Sequence, residues 1–236
     1  MNDRFIQKIK IDWTKIDEWS YLRDVSALRG VEEIEFTNNI TFLVGENGTG
    51  KSSLLEGIAV ACGMNHEGGT KNYVFSTYEE DTELSRAIQI VRGFRKPKTS
   101  YFFRAESFFN VATKSEEYES TFGGKDLHRQ SHGESFLSFF SAFDRAGIYL
   151  MDEPEAALSP QRQLTLFIHI YKMAQEGAQF IIATHSPILL GIPQADIISF
   201  DGGEMKGCRY EDTESYQVME MFINNREALI RNLLGD

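Results

Sequence analysis

Gly45-Glu46-Asn47-Gly48-Thr49-Gly50-Lys51-Ser52 is the stretch on which the reading of this chain turns. An apolar run, Phe42-Leu43-Val44, stops just before it, and Ser53-Leu54-Leu55-Glu56-Gly57-Ile58-Ala59-Val60-Ala61 opens a helical pattern beyond it. A strand, a glycine-spaced loop and a helix in that order make a cradle for phosphate. Glycines let successive backbone N–H groups turn inward around an anion, and the new helix adds the positive end of its dipole. In G-x-x-x-x-G-K-S the lysine, Lys51, reaches the outer phosphates of a nucleotide, and the hydroxyl of Ser52 is placed to ligate Mg²⁺. Glu46, Asn47, Thr49 and Ser53 complete the binding loop. A glycine-rich strand-to-helix turn with no ligand is the plainer alternative, and the flanking strand and helix weigh against it.

Upstream, Ile6 to Trp13 alternates Ile6, Lys8 and Lys10 with Ile9, Ile11 and Trp13, a weak strand signal. Trp13 to Arg23 is aromatic-rich and irregular, Val31 to Phe36 alternates again, and Asn38-Asn39 turns into a strand at Ile40–Val44. A β-rich N-terminal portion therefore feeds the loop. Downstream, Gly63 to Asp81 reads as a loop, and Ala87–Phe94 and Ser100–Arg104 read as strands around the basic turn Arg95-Lys96-Pro97-Lys98. That turn suits a solvated hairpin tip, with a nucleic-acid contact as the alternative. Phe108–Tyr118 and Ser135–Phe140 suggest helices, separated by a break at Phe122–Lys125.

Ile148-Tyr149-Leu150-Met151 is a buried-strand run that closes on Asp152-Glu153-Pro154. Ser159 and Pro160 suit the N-cap and first position of a helix over Gln161–Glu176, which Gly177 ends. A second buried run, Phe180-Ile181-Ile182-Ala183, ends in Thr184-His185-Ser186-Pro187. Asp196–Phe200 is a further strand turning at Asp201-Gly202-Gly203, and Ser215–Leu234 suits one or two amphipathic helices. Strands alternating with helices, without repeats or linkers, predict one α/β domain over residues 1–236.

Composition bounds the chemistry. With 42% hydrophobic and 25% charged residues the chain is globular in character. A net charge of −11 disfavours a surface that coats nucleic acid everywhere. Cys62 and Cys208 are too few for a disulfide framework or a zinc site, and are expected to be reduced thiols in a cytoplasmic protein. The N-terminus lacks the apolar core of a signal peptide. Gly177 to Ala195 is uncharged, but Gln179, His185, Pro187 and Pro193 speak against a transmembrane helix.

Asp152 and Glu153 add a reaction to the binding loop. A carboxylate at the C-terminal end of a buried strand stands where α/β sheets place ligands. Asp152 is placed to hold Mg²⁺ opposite Ser52. Glu153, one residue on, faces elsewhere and can orient and partly deprotonate a water attacking the last phosphate. His185 follows a strand expected to neighbour that of Asp152, which brings it to the same phosphate as a hydrogen-bond donor. Ser131-x-x-Glu134 has the spacing of a capping box, and its helix N-terminus, with Gly133, also suits an anion.

Together these residues resemble the ABC-type P-loop ATPases. Gly45–Ser52 matches a Walker A loop, Ser131-His132-Gly133-Glu134 resembles the ABC signature, and Ile148–Glu153 matches Walker B with its adjacent glutamate. Glu155-Ala156-Ala157-Leu158-Ser159 resembles the D-loop and His185 the switch histidine. The Asp-Glu-Pro-Glu and Thr-His-Ser-Pro wording is most similar to the soluble, AAA-type ATPases related to SMC, RecF and OLD-family heads. The resemblance implies a mostly parallel core sheet flanked by helices, with a short helical arm inserted at approximately 105–147 that carries the signature.

It also implies Mg-ATP held head to tail between two copies, so that Ser131, Gly133 and Glu134 act across the interface of an ATP-dependent homodimer. A contact to the base or phosphates near Tyr21 or Arg23, and a partner protein or nucleic acid, are further implications. Three departures are visible. About 25 residues separate Glu106 from the signature, Glu106 stands where the Q-loop glutamine is usual, and Ser159 where aspartate ends the D-loop. A short arm disfavours a transporter subunit, and the length leaves no expected room for a long coiled coil or a nuclease domain. A nucleotide-gated binding module with negligible hydrolysis is the alternative that Glu106 and Ser159 raise.

Overall fold

The computed structural model describes residues 4–65, 69–70, 82–105, 146–156 and 158–235. Ile6, Ile9 and Ile11 build β1 (Ile6–Ile11), and all three are buried although their spacing breaks a strict alternation. The reason is an irregularity between Ile6 and Lys8, where the pairing with the neighbouring strand shifts by one residue. β2 (Glu33–Glu35) and β5 (Ile88–Arg92) flank β1, both antiparallel. Lys8 on β1 bridges Glu33 and Glu35 of β2 at 3.1 and 2.8 Å.

The second sheet has seven strands in the order β10-β9-β3-β8-β7-β6-β4. They are β3 (Ile40–Val44), β4 (Gly69–Thr70), β6 (Ser100–Arg104), β7 (Ile148–Asp152), β8 (Gln179–Ala183), β9 (Asp196–Ser199) and β10 (Lys206–Gly207). The five inner strands run parallel, and the short β10 and β4 close the edges antiparallel. Every residue of β3, β7 and β8 is buried. Continuous apolar runs are what a parallel sheet covered on both faces requires.

The pleat sends alternate residues to opposite layers. Leu43, Leu150 and Ile181 join Leu54, Leu55, Ile58 and Ala59 of α1 (Lys51–Ala61). Phe42, Tyr149, Phe180 and Ile182 join Leu166, Ile170 and Met173 of α3 (Pro160–Gln175) on the other face. Tyr149 and Phe180 stack at 5.0 Å between ring centroids, worth about 0.5–1.5 kcal/mol beyond the area they bury. α2 (Glu83–Ala87) lies against α1 where Gly57 leaves room for Leu84, α4 (Pro187–Leu190) follows β8, and α5 (Glu214–Asn224) and α6 (Arg226–Leu234) end the described chain.

Several expectations are corrected. β5 and β6 do not form a hairpin: β5 pairs with β1 in the small sheet, and β6 runs parallel to β7 in the large one. The basic turn between them crosses from one sheet to the other, and the guanidinium of Arg95 lies 5.3 Å over the ring of Phe5 and against Gly177. Within the expected loop over Gly63–Asp81, Gly69–Thr70 forms β4 and pairs with β6. Trp13–Lys15 and Tyr21–Arg23 are two 3₁₀ turns rather than irregular chain. The arm at approximately 105–147 lies, except for its ends, outside the described residues. Among the described residues no helix is long and apolar enough to cross a membrane.

Candidate functional site

β3 delivers the chain to Gly45 at the C-terminal edge of the large sheet, and α1 leaves the same edge from Lys51. The turn between them needs glycine at Gly50, which has φ +98°. A Cβ there would stand 2.6 Å from Val25 Cγ1 and 2.9 Å from Leu28 Cδ1, so residues 25–28 pack directly beneath the loop. Gly50→Ala combines a left-handed alanine with an overpacked contact, together about 2–4 kcal/mol. An unfolding free energy from urea titration lowered by that amount is expected, with weaker nucleotide binding; an unshifted midpoint would show that the loop is free to rearrange.

Side chains brace the loop from both ends. Thr49 Oγ1 donates to the Glu46 carbonyl at 2.8 Å, and the Glu46 N–H donates to Asp201 Oδ1 at 3.0 Å. Asp201 follows β9, the other neighbour of β3, and its Oδ2 accepts from Ser199 Oγ at 3.0 Å. Lys51 is 5% exposed, and its Nζ donates to the carbonyls of Gly45 at 2.6 Å and Glu46 at 2.8 Å. Burial draws its ammonium below the usual lysine range, against the opposing pull of Glu153, Asp201, Asp152 and Glu155. A cation held on carbonyls of a glycine-turned loop is ready for an anion.

The acids arrive on β7, two strands from β3, because β8 is inserted between them. Register aligns Asp152 with Ala183, and Ala183 with Leu43, so Asp152 ends level with the loop. Ser52 Oγ donates to Asp152 Oδ1 at 3.0 Å. Glu153 then turns away in the left-handed region at φ +49°, its N–H bound to the Ala183 carbonyl at 2.9 Å. A non-glycine residue there costs about 1–2 kcal/mol, and such strain gathers at working sites. Its Oε1 lies 3.9 Å from His185 Nε2, an atom buried without a hydrogen-bond partner among the described residues.

Behind them, Glu155 Oε1 accepts the His185 N–H at 2.7 Å, and the Thr184 hydroxyl accepts the Ser186 N–H at 3.0 Å. Burial pushes the Glu155 carboxyl above the usual carboxylate range despite the bond from His185. Ser186 caps α4 at the Leu189 N–H and donates to Gln163 Oε1 at 2.6 Å, which ties the histidine turn to α3.

Gly45, Glu46, Asn47, Gly48, Thr49, Gly50, Lys51, Ser52 and Ser53 thus share one sheet edge with Asp152, Glu153 and His185. Ser131, Gly133, Glu134 and Glu106 lie outside the described residues. Arg104, level with Asp152, pairs with Glu56 at 2.9 Å. The Arg23 guanidinium donates to the carbonyls of Trp13, Ile16 and Asp17. Asp201 escaped sequence reasoning. An acid closing the strand beside that of the loop was the available signal.

Parallel sheet, glycine-turned loop, buried lysine and facing acids define a P-loop nucleotide-binding domain. A family model described as an AAA domain matches residues 21–159, more than half of the chain, and a second AAA-domain model matches residues 134–191; the chain belongs to that AAA-domain family. The SMC head domain from Thermotoga maritima is 13% identical, with a TM-score of 0.48 over 87% of this chain and 98% of that one. An ATP-binding cassette of an ABC transporter is also 13% identical, with a TM-score of 0.46 over 95% of this chain and 97% of that one. No curated protein matches.

Proposed function

We propose that this chain is an ABC-type ATPase that hydrolyses Mg-ATP at a head-to-tail interface between two copies. One observation carries the reading: the Ser52 hydroxyl meets the Asp152 carboxylate at 3.0 Å beside Lys51, with Glu153 and His185 3.9 Å apart on the neighbouring strand ends. A hydroxyl and a carboxylate converging beside an anion cradle are hard oxygen donors suited to Mg²⁺, so the residues present fit the ion. Ser52 and Asp152 would hold it, and when bound it would neutralise charge on the outer phosphates.

The chain's own groups then divide the work. Amides of residues 45–52, other than the Glu46 N–H that Asp201 holds, bind the phosphates, and Lys51 exchanges two carbonyls for phosphate oxygens. Glu153 orients a water and takes its proton, and the Nε2 of His185 donates toward the phosphate being released. By resemblance, Ser131, Gly133 and Glu134 of a second copy complete the site. Phosphate release that stops when EDTA is added and returns with excess Mg²⁺ is the expected result. Turnover unaffected by EDTA would overturn the metal assignment, and no turnover at any protein concentration would favour the nucleotide-gated binding module.

A further inference from the structure

The turns after β7 and β8 carry Glu153 and His185, and their relative position decides whether base and donor meet one phosphate. Among the described residues one backbone bond links them, from the Glu153 N–H to the Ala183 carbonyl, and it ends before the histidine. Beyond it a carboxylate makes the bridge. Glu155 Oε1 takes the N–H of His185 at 2.7 Å across 30 residues of sequence, next to the fully buried Thr184. The His185 ring is 39% exposed at its side chain, and its Nε2 has no hydrogen-bond partner among the described residues. The ring is therefore aimed through its backbone.

We propose that Glu155 is a positioning residue for His185, its carboxylate fixing the histidine turn so that the imidazole stands opposite Glu153. Burying a carboxylate is costly unless its acceptors are used, and here one oxygen takes the His185 N–H while Oε2 is buried without a hydrogen-bond partner among the described residues. Glu155 also sits inside its own turn, where the Leu158 N–H bonds to the Glu155 carbonyl at 2.8 Å and the Ala156 N–H to the Glu153 carbonyl at 3.1 Å. Displacing residues 155–158 would therefore move the histidine.

The catalytic consequence rests on the ATPase reading; the hydrogen bond does not. Glu155→Ala is expected to lower kcat about 10–100-fold, as small misplacements of reacting groups do, with KM for ATP within about twofold. Glu155→Gln keeps an acceptor at the same reach and restores kcat to within about threefold, whereas Glu155→Asp withdraws it and behaves like alanine. In a His185→Ala background, Glu155→Ala adds less than about twofold, since coupled residues are not additive. A multiplicative loss there, or a KM effect with kcat unchanged, would overturn the proposal.

Histidine-selective ¹⁵N labelling gives five amide signals to follow. The His185 amide proton moves upfield in Glu155→Ala and Glu155→Asp and stays in Glu155→Gln. Absent turnover in the wild type would end the ATPase reading while these shifts still test the bond, and an unmoved His185 amide would end the positioning role by itself.

Discussion

Lys51→Ala is expected to weaken Mg-ATP binding by about 100-fold or more and to abolish phosphate release. The side chain is 5% exposed and spends two donors on the loop carbonyls, at 2.6 and 2.8 Å. Those donors are the ones a triphosphate would draw away. Two hydrogen bonds from a cation are worth about 1.5–3 kcal/mol each, so their joint loss reaches the hundredfold scale. Alanine also removes an ammonium that the structure sets among Asp152, Glu153, Glu155 and Asp201. Nucleotide would then approach these carboxyl groups without the Lys51 charge. Titration of a fluorescent ATP analogue measures the first effect and a phosphate-release assay the second. Binding and turnover both equal to the wild type would overturn the whole assignment of the loop.

Glu153→Gln is expected to separate binding from reaction. The amide matches the carboxylate in size, and the backbone at φ +49° is as strained for glutamine as for glutamate, so the fold and the loop persist. What disappears is the base. Losing a positioned general base costs about 10²–10⁴ in rate, while the bound nucleotide remains. If two copies close on ATP, the variant accumulates in the closed state, and light scattering with Mg-ATP reads twice the monomer mass. A variant that hydrolyses normally would remove Glu153 from its role. One that binds ATP, fails to hydrolyse it and stays monomeric would keep that role and overturn the dimer.

Much of the site was legible because its strands are extreme. Ile40–Val44, Ile148–Met151 and Phe180–Ala183 are continuous apolar runs, and such runs end where a parallel sheet puts its ligands. Asp152, Glu153 and His185 could therefore be placed at one edge before any pairing was known. The small sheet was less legible. Arg95-Lys96-Pro97-Lys98 is equally polar whether it turns a hairpin or crosses between sheets, and nothing local records that β5 seeks β1 and β6 seeks β7. β4 has two residues, too few for any period. Asp201 and Glu155 act through backbone N–H groups 155 and 30 residues away, contacts that no local pattern announces.

The insertion of β8 between β3 and β7 works as a spacer bar. Two ladder spacings of about 4.8 Å hold the strand of the loop and the strand of the acids roughly 10 Å apart, a gap set by peptide hydrogen bonds and not by side-chain size. Ser52, carried forward on the first turn of α1, spans it to Asp152. The gauge is quantised: sliding β8 by a single residue would turn Phe180 and Ile182 toward α1 and Ile181 toward α3, which the two filled cores forbid. Changes to the reactive side chains can therefore alter the chemistry while the width of the jaw stays fixed.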